Sequence, residues 1–157
     1  DPPWRYDFAE TDSRQIENQY PSATVGEIIA HKPVTEGGCV LLMWATVAKM
    51  REAFEVMDGW GFEYKTHAVW DKEKIGMGYW FRGQHELLLV GTKGKVSPPA
   101  PEHRVSSVFR EARRAHSEKP DCVYEWIDAA FPHLLNLEMY CRRPREGWLV
   151  FGNEAVA

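Results

Sequence analysis

Asp1-Pro2-Pro3-Trp4 sets a carboxylate, two imino acids and an indole in consecutive positions. Neither proline has a backbone N–H, each fixes its own φ, and Pro3 biases Pro2 toward an extended conformation. The stretch therefore offers acceptors, the Asp1 carboxylate and the Pro2 carbonyl, beside the flat apolar face of Trp4. Two acceptors next to a stacking face suit an exocyclic aromatic amine that carries two N–H donors, such as adenine N6. The lone pair of that nitrogen is delocalised into the ring. Hydrogen bonds from both N–H groups push it toward sp³ and stabilise the positive charge that develops when it attacks, and alignment with an electrophile does the rest. The same four residues would also serve as a Pro-Pro turn with a surface acid and a packing tryptophan.

Such a loop needs a scaffold. Thr24-Val25-Gly26-Glu27 reads as a capping box opening a short helix toward His31. Residues 39–45, CVLLMWA, form a continuous apolar run of strand length, as in a strand buried on both faces of a parallel sheet. Thr46 reads as an N-cap. Val47, Met50, Phe54 and Met57 share one helical face, with Gly59 and Gly61 ending the helix. Residues 62–70 and 86–92 read as strands. Residues 93–117 keep no hydrophobic period and read as a long loop. Ser117 is the expected cap of a helix with Pro120 in its first turn, Val123, Trp126, Ile127 and Ala130 on its buried face, and Pro132 as its stop. Residues 135–141 and 147–151 complete the strands. The alternation predicts one α/β domain over residues 1–157 with a mostly parallel sheet, where ligands sit at the carboxyl ends of strands. A strand leading into Asp1 would place the acid at such an edge.

The chain has 157 residues and a net charge of −4, which alone argues against a polyanionic partner. The charge is unevenly spread. Between Lys74 and Lys119 nine Lys/Arg face four Glu, so that segment carries +5 and the remainder −9. A basic surface on an acidic protein still meets phosphates, and Arg82, Arg104, Arg110, Arg113 and Arg114 are the candidates. Three widely spaced cysteines without a CxxC pair argue against a disulfide scaffold and a zinc site; no metal is expected, and a reducing cytoplasm is. No apolar run is long enough to span a membrane. Gly76-x-Gly78-x-x-x-x-Gly83 lacks dinucleotide-fingerprint spacing, which excludes a dehydrogenase of that type.

DPPW, Tyr20-Pro21, LLMWAT, GYWFRGQHELLLVGTKG, SEKPD and GWLVFGNE, taken in order, resemble the DPPW-type adenine-N6 methyltransferases, a family that includes the catalytic subunit of the mRNA adenine methyltransferase and many bacterial and phage members. The likeness runs along nearly the whole chain and is greatest to the small bacterial and phage forms. It implies a Rossmann-like fold with the catalytic motif ahead of the cofactor motifs, S-adenosylmethionine as methyl donor, and a nucleic-acid substrate, DNA more than RNA. It implies a catalytic loop of Asp1, Pro2, Pro3 and Trp4, with Asp1 also near the methionine part of the cofactor. Tyr20 resembles the tyrosine beside the target adenine, Lys119 the lysine on the cofactor carboxylate, Arg142 the residue reaching its ribose, and Asn153 and Glu154 the pair on the ribose hydroxyls. Glu86 and Arg82 are further substrate-side candidates. The resemblance also implies a segment with a strand before DPPW, so one edge of the cofactor pocket is expected to lie outside this sequence.

The leading expectation is methyl transfer to adenine N6 in a polynucleotide. RNA is the alternative substrate, and a non-catalytic partner subunit is the alternative class; such subunits lose the acidic residue that Asp1 retains. A cytosine-N4 enzyme typically carries Ser in place of Asp1. The resemblance to small members without extra target-reading domains implies relaxed specificity, or a second subunit in a homo- or heterodimer, to choose the target.

Overall fold

The structure, a computed structural model, describes residues 1–6, 21–113 and 118–152. Its elements are α1 (Val25–Ala30), β1 (Cys39–Ala45), a 3₁₀ turn (Val47–Lys49), α2 (Met50–Trp60), β2 (Glu63–Asp71), β3 (His85–Lys93), a 3₁₀ turn (Pro101–His103), β4 (Val108–Arg110), α3 (Asp121–Ala130), β5 (Leu137–Met139) and β6 (Leu149–Phe151).

The Thr24 capping box is formed: Thr24 Oγ1 accepts from the Glu27 N–H while the Glu27 carboxylate takes the Thr24 N–H at 2.8 Å. Thr46 makes no side-chain cap, and its hydroxyl pairs with Tyr6 Oη at 2.8 Å instead. Gly61, at φ 82°, is the left-handed C-cap of α2, whereas Gly59 stays inside the helix. Pro120 occupies the cap position of α3 rather than its first turn; Ser117 lies outside the described residues.

Four strands pair in the order β1-β3-β2-β4. β3 is antiparallel to both β1 and β2, and β2 is parallel to β4. The expectation of a mostly parallel sheet therefore fails for the pairings, although β1, β2 and β4 share one direction. The apolar run in β1 does report burial on both faces. Leu87 and Leu89 of β3 join Met43 and Ala45 in a core under α1 and α2. Leu88 joins Trp44, Trp70 and Val123 in a second core under α3. Two-faced burial, however, counts the layers over a sheet and is blind to strand direction. No helix joins β2 to β3, only residues 72–84, and a return without a crossover helix gives an antiparallel neighbour.

β4 was not expected within the long loop at 93–117. Its three residues are too few to carry a period, and its place is set by pairing with β2 and by Phe109 packing into the second core. β5 and β6 form a separate parallel pair. Among the described residues no helix is long and apolar enough to cross a membrane.

Candidate active site

The register of the sheet builds the floor of the site. Glu86 of β3 stands opposite Trp70 of β2, and Leu88 stands opposite Trp44 of β1. Residues two apart on a strand share a face, so Glu86 lies on the tryptophan side. The Trp44 and Trp70 rings meet edge to face with centroids 5.7 Å apart.

Lys119 comes onto this floor from the segment before α3. Its Nζ lies 5.3 Å from the Trp44 ring centre, 2.7 Å from Glu86 Oε2 and 3.2 Å from Asp1 Oδ2. The other Glu86 oxygen takes Lys72 Nζ at 2.6 Å, and Lys72 in turn lies over the Trp70 ring at 5.5 Å. The Lys119 and Glu86 side chains are 7% and 11% exposed. Burying an ion costs several kcal/mol unless it is paired, and here two ammoniums alternate with two carboxylates. A cation just before a helix opposes the dipole by about 0.3–1 kcal/mol. Charge-assisted hydrogen bonds are worth about 1.5–3 kcal/mol each, so the carboxylates outweigh the helix. Burial pushes the Glu86 carboxyl upward in pKa, but the nearby Lys119 and Lys72 together more than reverse this and hold it below the ordinary value.

The DPPW backbone is pinned on its other side. The Trp4 N–H donates to the Pro2 carbonyl at 2.9 Å and the Ala23 N–H to the Pro3 carbonyl at 2.7 Å. Trp4, 4% exposed, packs into the first core with Ile28 and Trp60. Its ring is thus enclosed rather than offered as a stacking face, and its Nε1–H finds no acceptor among the described residues. The Pro2 carbonyl retains a second lone pair.

Asp1 lines two cavities. The larger, about 570 Å³, runs between β1 and β5. The smaller, about 280 Å³, is walled by Asp1, His31, Tyr140, Arg142, Phe151 and Gly152. The His31 ring lies 5.5 Å from that of Phe151 and 5.9 Å from that of Tyr140, and His31 Nδ1 is 3.1 Å from Tyr140 Oη. Tyr140 has φ 60°, a left-handed conformation costing about 1–2 kcal/mol, at the turn that leads from β5 to Arg142.

Of the residues singled out in the sequence, Asp1, Glu86 and Lys119 thus meet, Pro2 and Pro3 shape the loop, and Arg142 shares the smaller cavity with Asp1. Arg82 instead fastens an exposed loop, its Nε donating to the Gly76 carbonyl at 2.7 Å. Arg110 is held by Asp71 at 2.9 Å. Tyr20, Asn153, Glu154 and Arg114 lie outside the described residues. The site also takes in Lys72, Trp44, Trp70, His31 and Tyr140, to which the sequence pattern alone assigns no role. The one available signal was Lys72 two positions after Trp70, hence on its face at the end of a strand.

The MT-A70 family model matches residues 1–154. The chain belongs to the MT-A70 family. Within it, the chain is 35% identical to the type II methyltransferase M.MunI of Mycoplasma sp, across 87% of this chain and 60% of that protein. It is 25% identical to the N(6)-adenosine-methyltransferase MT-A70-like protein of Arabidopsis thaliana, across 98% of this chain and 23% of that one, and 25% identical to the human N(6)-adenosine-methyltransferase catalytic subunit METTL3, across 98% and 27%. The chain thus spans 60% of the M.MunI length and about a quarter of the plant and human ones. The matched region holds the whole Asp1–Lys119–Glu86–Lys72 network.

Because its pKa is lowered on folding, Glu86 adds stability that is fully present above the ordinary carboxylate value of about 4.3 and is lost as the pH falls through the lowered one. In urea unfolding, Glu86→Gln is expected to cost about 3–5 kcal/mol at neutral pH and to flatten the loss of stability on acidification. An unchanged acid slope would show that Glu86 is not the group held ionised.

Proposed function

We propose that this protein transfers a methyl group from S-adenosylmethionine to the N6 amine of adenine in a polynucleotide, DNA in preference to RNA. The observation that carries this reading is the pairing of the half-buried Asp1, which lines both cavities, with the buried Lys119 behind it. A methionine group bears an ammonium and a carboxylate, and Asp1 and Lys119 are their complements. Tyr140, Phe151 and His31 give the smaller cavity an aromatic wall suited to a flat base, so the residues present fit this cofactor. Lys119 would hold its carboxylate, Asp1 its amine, and Arg142, with Asn153 and Glu154, its ribose, since carboxylate and carboxamide both accept from hydroxyls. The cofactor supplies an electrophilic methyl group on a sulfonium.

The chain supplies orientation and charge. Asp1 and the Pro2 carbonyl accept from the two N–H groups of the amine, and Lys119 with Glu86 behind it fixes the Asp1 carboxylate before the substrate arrives. Preorganisation of this kind lowers the barrier because nothing reorients as charge develops. The methylated nitrogen then releases one proton to water, so no side-chain base is required. The target base must leave its stack to reach Asp1; Tyr20 would lie beside it, with Arg82 toward the phosphates. Higher identity to the type II methyltransferase than to the N(6)-adenosine enzymes supports DNA. The intact Asp1–Lys119 pair speaks against a non-catalytic partner subunit.

We also infer a Rossmann-like sheet with one strand more. The larger cavity touches every residue of 38–44 and of 134–140. A strand face shows only alternate residues, so this cavity follows the edges of β1 and β5. Among the described residues β1 pairs only with β3, and β5 only with β6. Glu138, on its wall, keeps Oε2 without a partner among the described residues. A strand leading into Asp1 fits this slot. It would merge the two sheets, leave β3 as the antiparallel member, and bring Asp1 to a strand's carboxyl end.

Two measurements test these readings. Labelled methyl transfer to DNA and RNA oligonucleotides, with nucleosides identified by mass spectrometry, is expected to yield N6-methyladenine, and Asp1→Ala to abolish it with cooperative unfolding retained. Near-normal activity in Asp1→Ala overturns the assignment. Hydrogen exchange on the full-length protein is expected to protect the β1 amides that do not face β3; fast exchange there rules out the added strand.

A further inference from the structure

Residues 72–84 leave β2 just past Asp71 and re-enter the sheet at His85, next to Glu86. Their neck is tightly fastened. The Lys72 N–H donates to the Gln84 carbonyl at 2.9 Å, the Gly76 N–H to the Gly83 carbonyl at 2.7 Å, and the Gly83 N–H to the Met77 carbonyl at 3.1 Å. The Asp71 carboxylate takes Gln84 Nε2 and Arg110 Nε, each at 2.9 Å. At Gly78 a Cβ would lie 2.0 Å from the Phe81 carbonyl oxygen, so the turn carrying the tip admits no side chain there.

On this stiff stalk Tyr79, Trp80 and Phe81 are 106%, 95% and 89% exposed. Contiguous exposed apolar groups of this size mark an interaction site. The surroundings say which kind. Besides Lys72, which is paired with Glu86, residues 72–84 carry Lys74 and Arg82 against a single acid, Glu73. Consecutive aromatic faces among cations match a polyanion that presents flat rings, as single-stranded nucleic acids do. The apolar face of a protein partner gives the cations no role. The stalk also rises from the strand ends that hold Lys72 and Glu86, beside the site of Asp1.

We propose that Tyr79-Trp80-Phe81 is a stacking platform for unpaired bases next to the target nucleotide. It rests on the polynucleotide reading above and adds to it the surface that keeps flanking bases unstacked while the target enters the site. Bases stack on Trp80 and its neighbours, and Lys74 and Arg82 face the backbone phosphates.

The test uses the full-length protein and fluorescently labelled single-stranded oligonucleotides containing adenine. Trp80→Ala is expected to weaken their binding by roughly 5- to 150-fold, the range that loss of one base–aromatic stack produces. Trp80→Phe should recover most of it. Affinity for S-adenosylmethionine, by calorimetry, and kcat at saturating oligonucleotide should stay at wild-type values. A wild-type protein that binds oligonucleotide and a Trp80→Ala variant that binds it equally well overturn the platform and leave the polynucleotide reading standing. If Trp80→Ala instead dissociates a dimer in sedimentation and keeps its oligonucleotide affinity, the patch belongs to a second copy. A wild-type protein that binds no oligonucleotide overturns the polynucleotide reading and the platform with it.

Discussion

One buried ammonium orders the site. Lys119 lies between the Asp1 and Glu86 carboxylates over the face of Trp44. Its partners come from separate parts of the chain: the DPPW loop, the start of β3 and the end of β1, while Lys72 past the end of β2 balances Glu86. Each would be costly to bury alone. An uncompensated ion in such a place is worth several kcal/mol of destabilisation, so the four elements hold one another in register. The neutral cluster has two positive and two negative members, and a ligand carrying both signs can enter by exchanging partners rather than by creating a new charge.

The same loop is anchored at its far end by packing. Trp4 sits in the core beneath α1 and α2, and the Pro3 carbonyl is tied to Ala23. Trp4 therefore acts on Asp1 through the backbone, by setting where the two prolines can lie, and not through its ring. Two rigid imino acids between a core anchor and an ion pair leave Asp1 little freedom, which is what electrostatic preorganisation needs.

The sequence made much of this legible. The capping box and the apolar run of β1 follow local rules, and each stands close to where those rules put it. The face of α2 is met only in part, since Met57 is buried but Val47 is exposed in the preceding turn, and Ala53, Val56 and Trp60 complete the buried face. Asp1, Lys119 and Glu86 could be marked from motifs, but their meeting depends on register. Only the pairing of Glu86 with Trp70, and of Leu88 with Trp44, brings the acid to the tryptophan floor. Strand direction is not legible in this way, because an apolar run looks alike in a buried parallel strand and in a buried antiparallel one. β4 is invisible to such rules because three residues have no period. Nor does an indole beside two prolines give any sign of which way its ring will turn, and that of Trp4 turns into the core.

The most direct test is calorimetric titration of S-adenosylmethionine into the full-length protein and into Lys119→Met, whose apolar chain keeps most of the volume. Binding by the wild type and its loss, tenfold or more, in a Lys119→Met protein that still unfolds cooperatively is the result expected. Wild-type affinity in Lys119→Met would contradict the central place given to that ion.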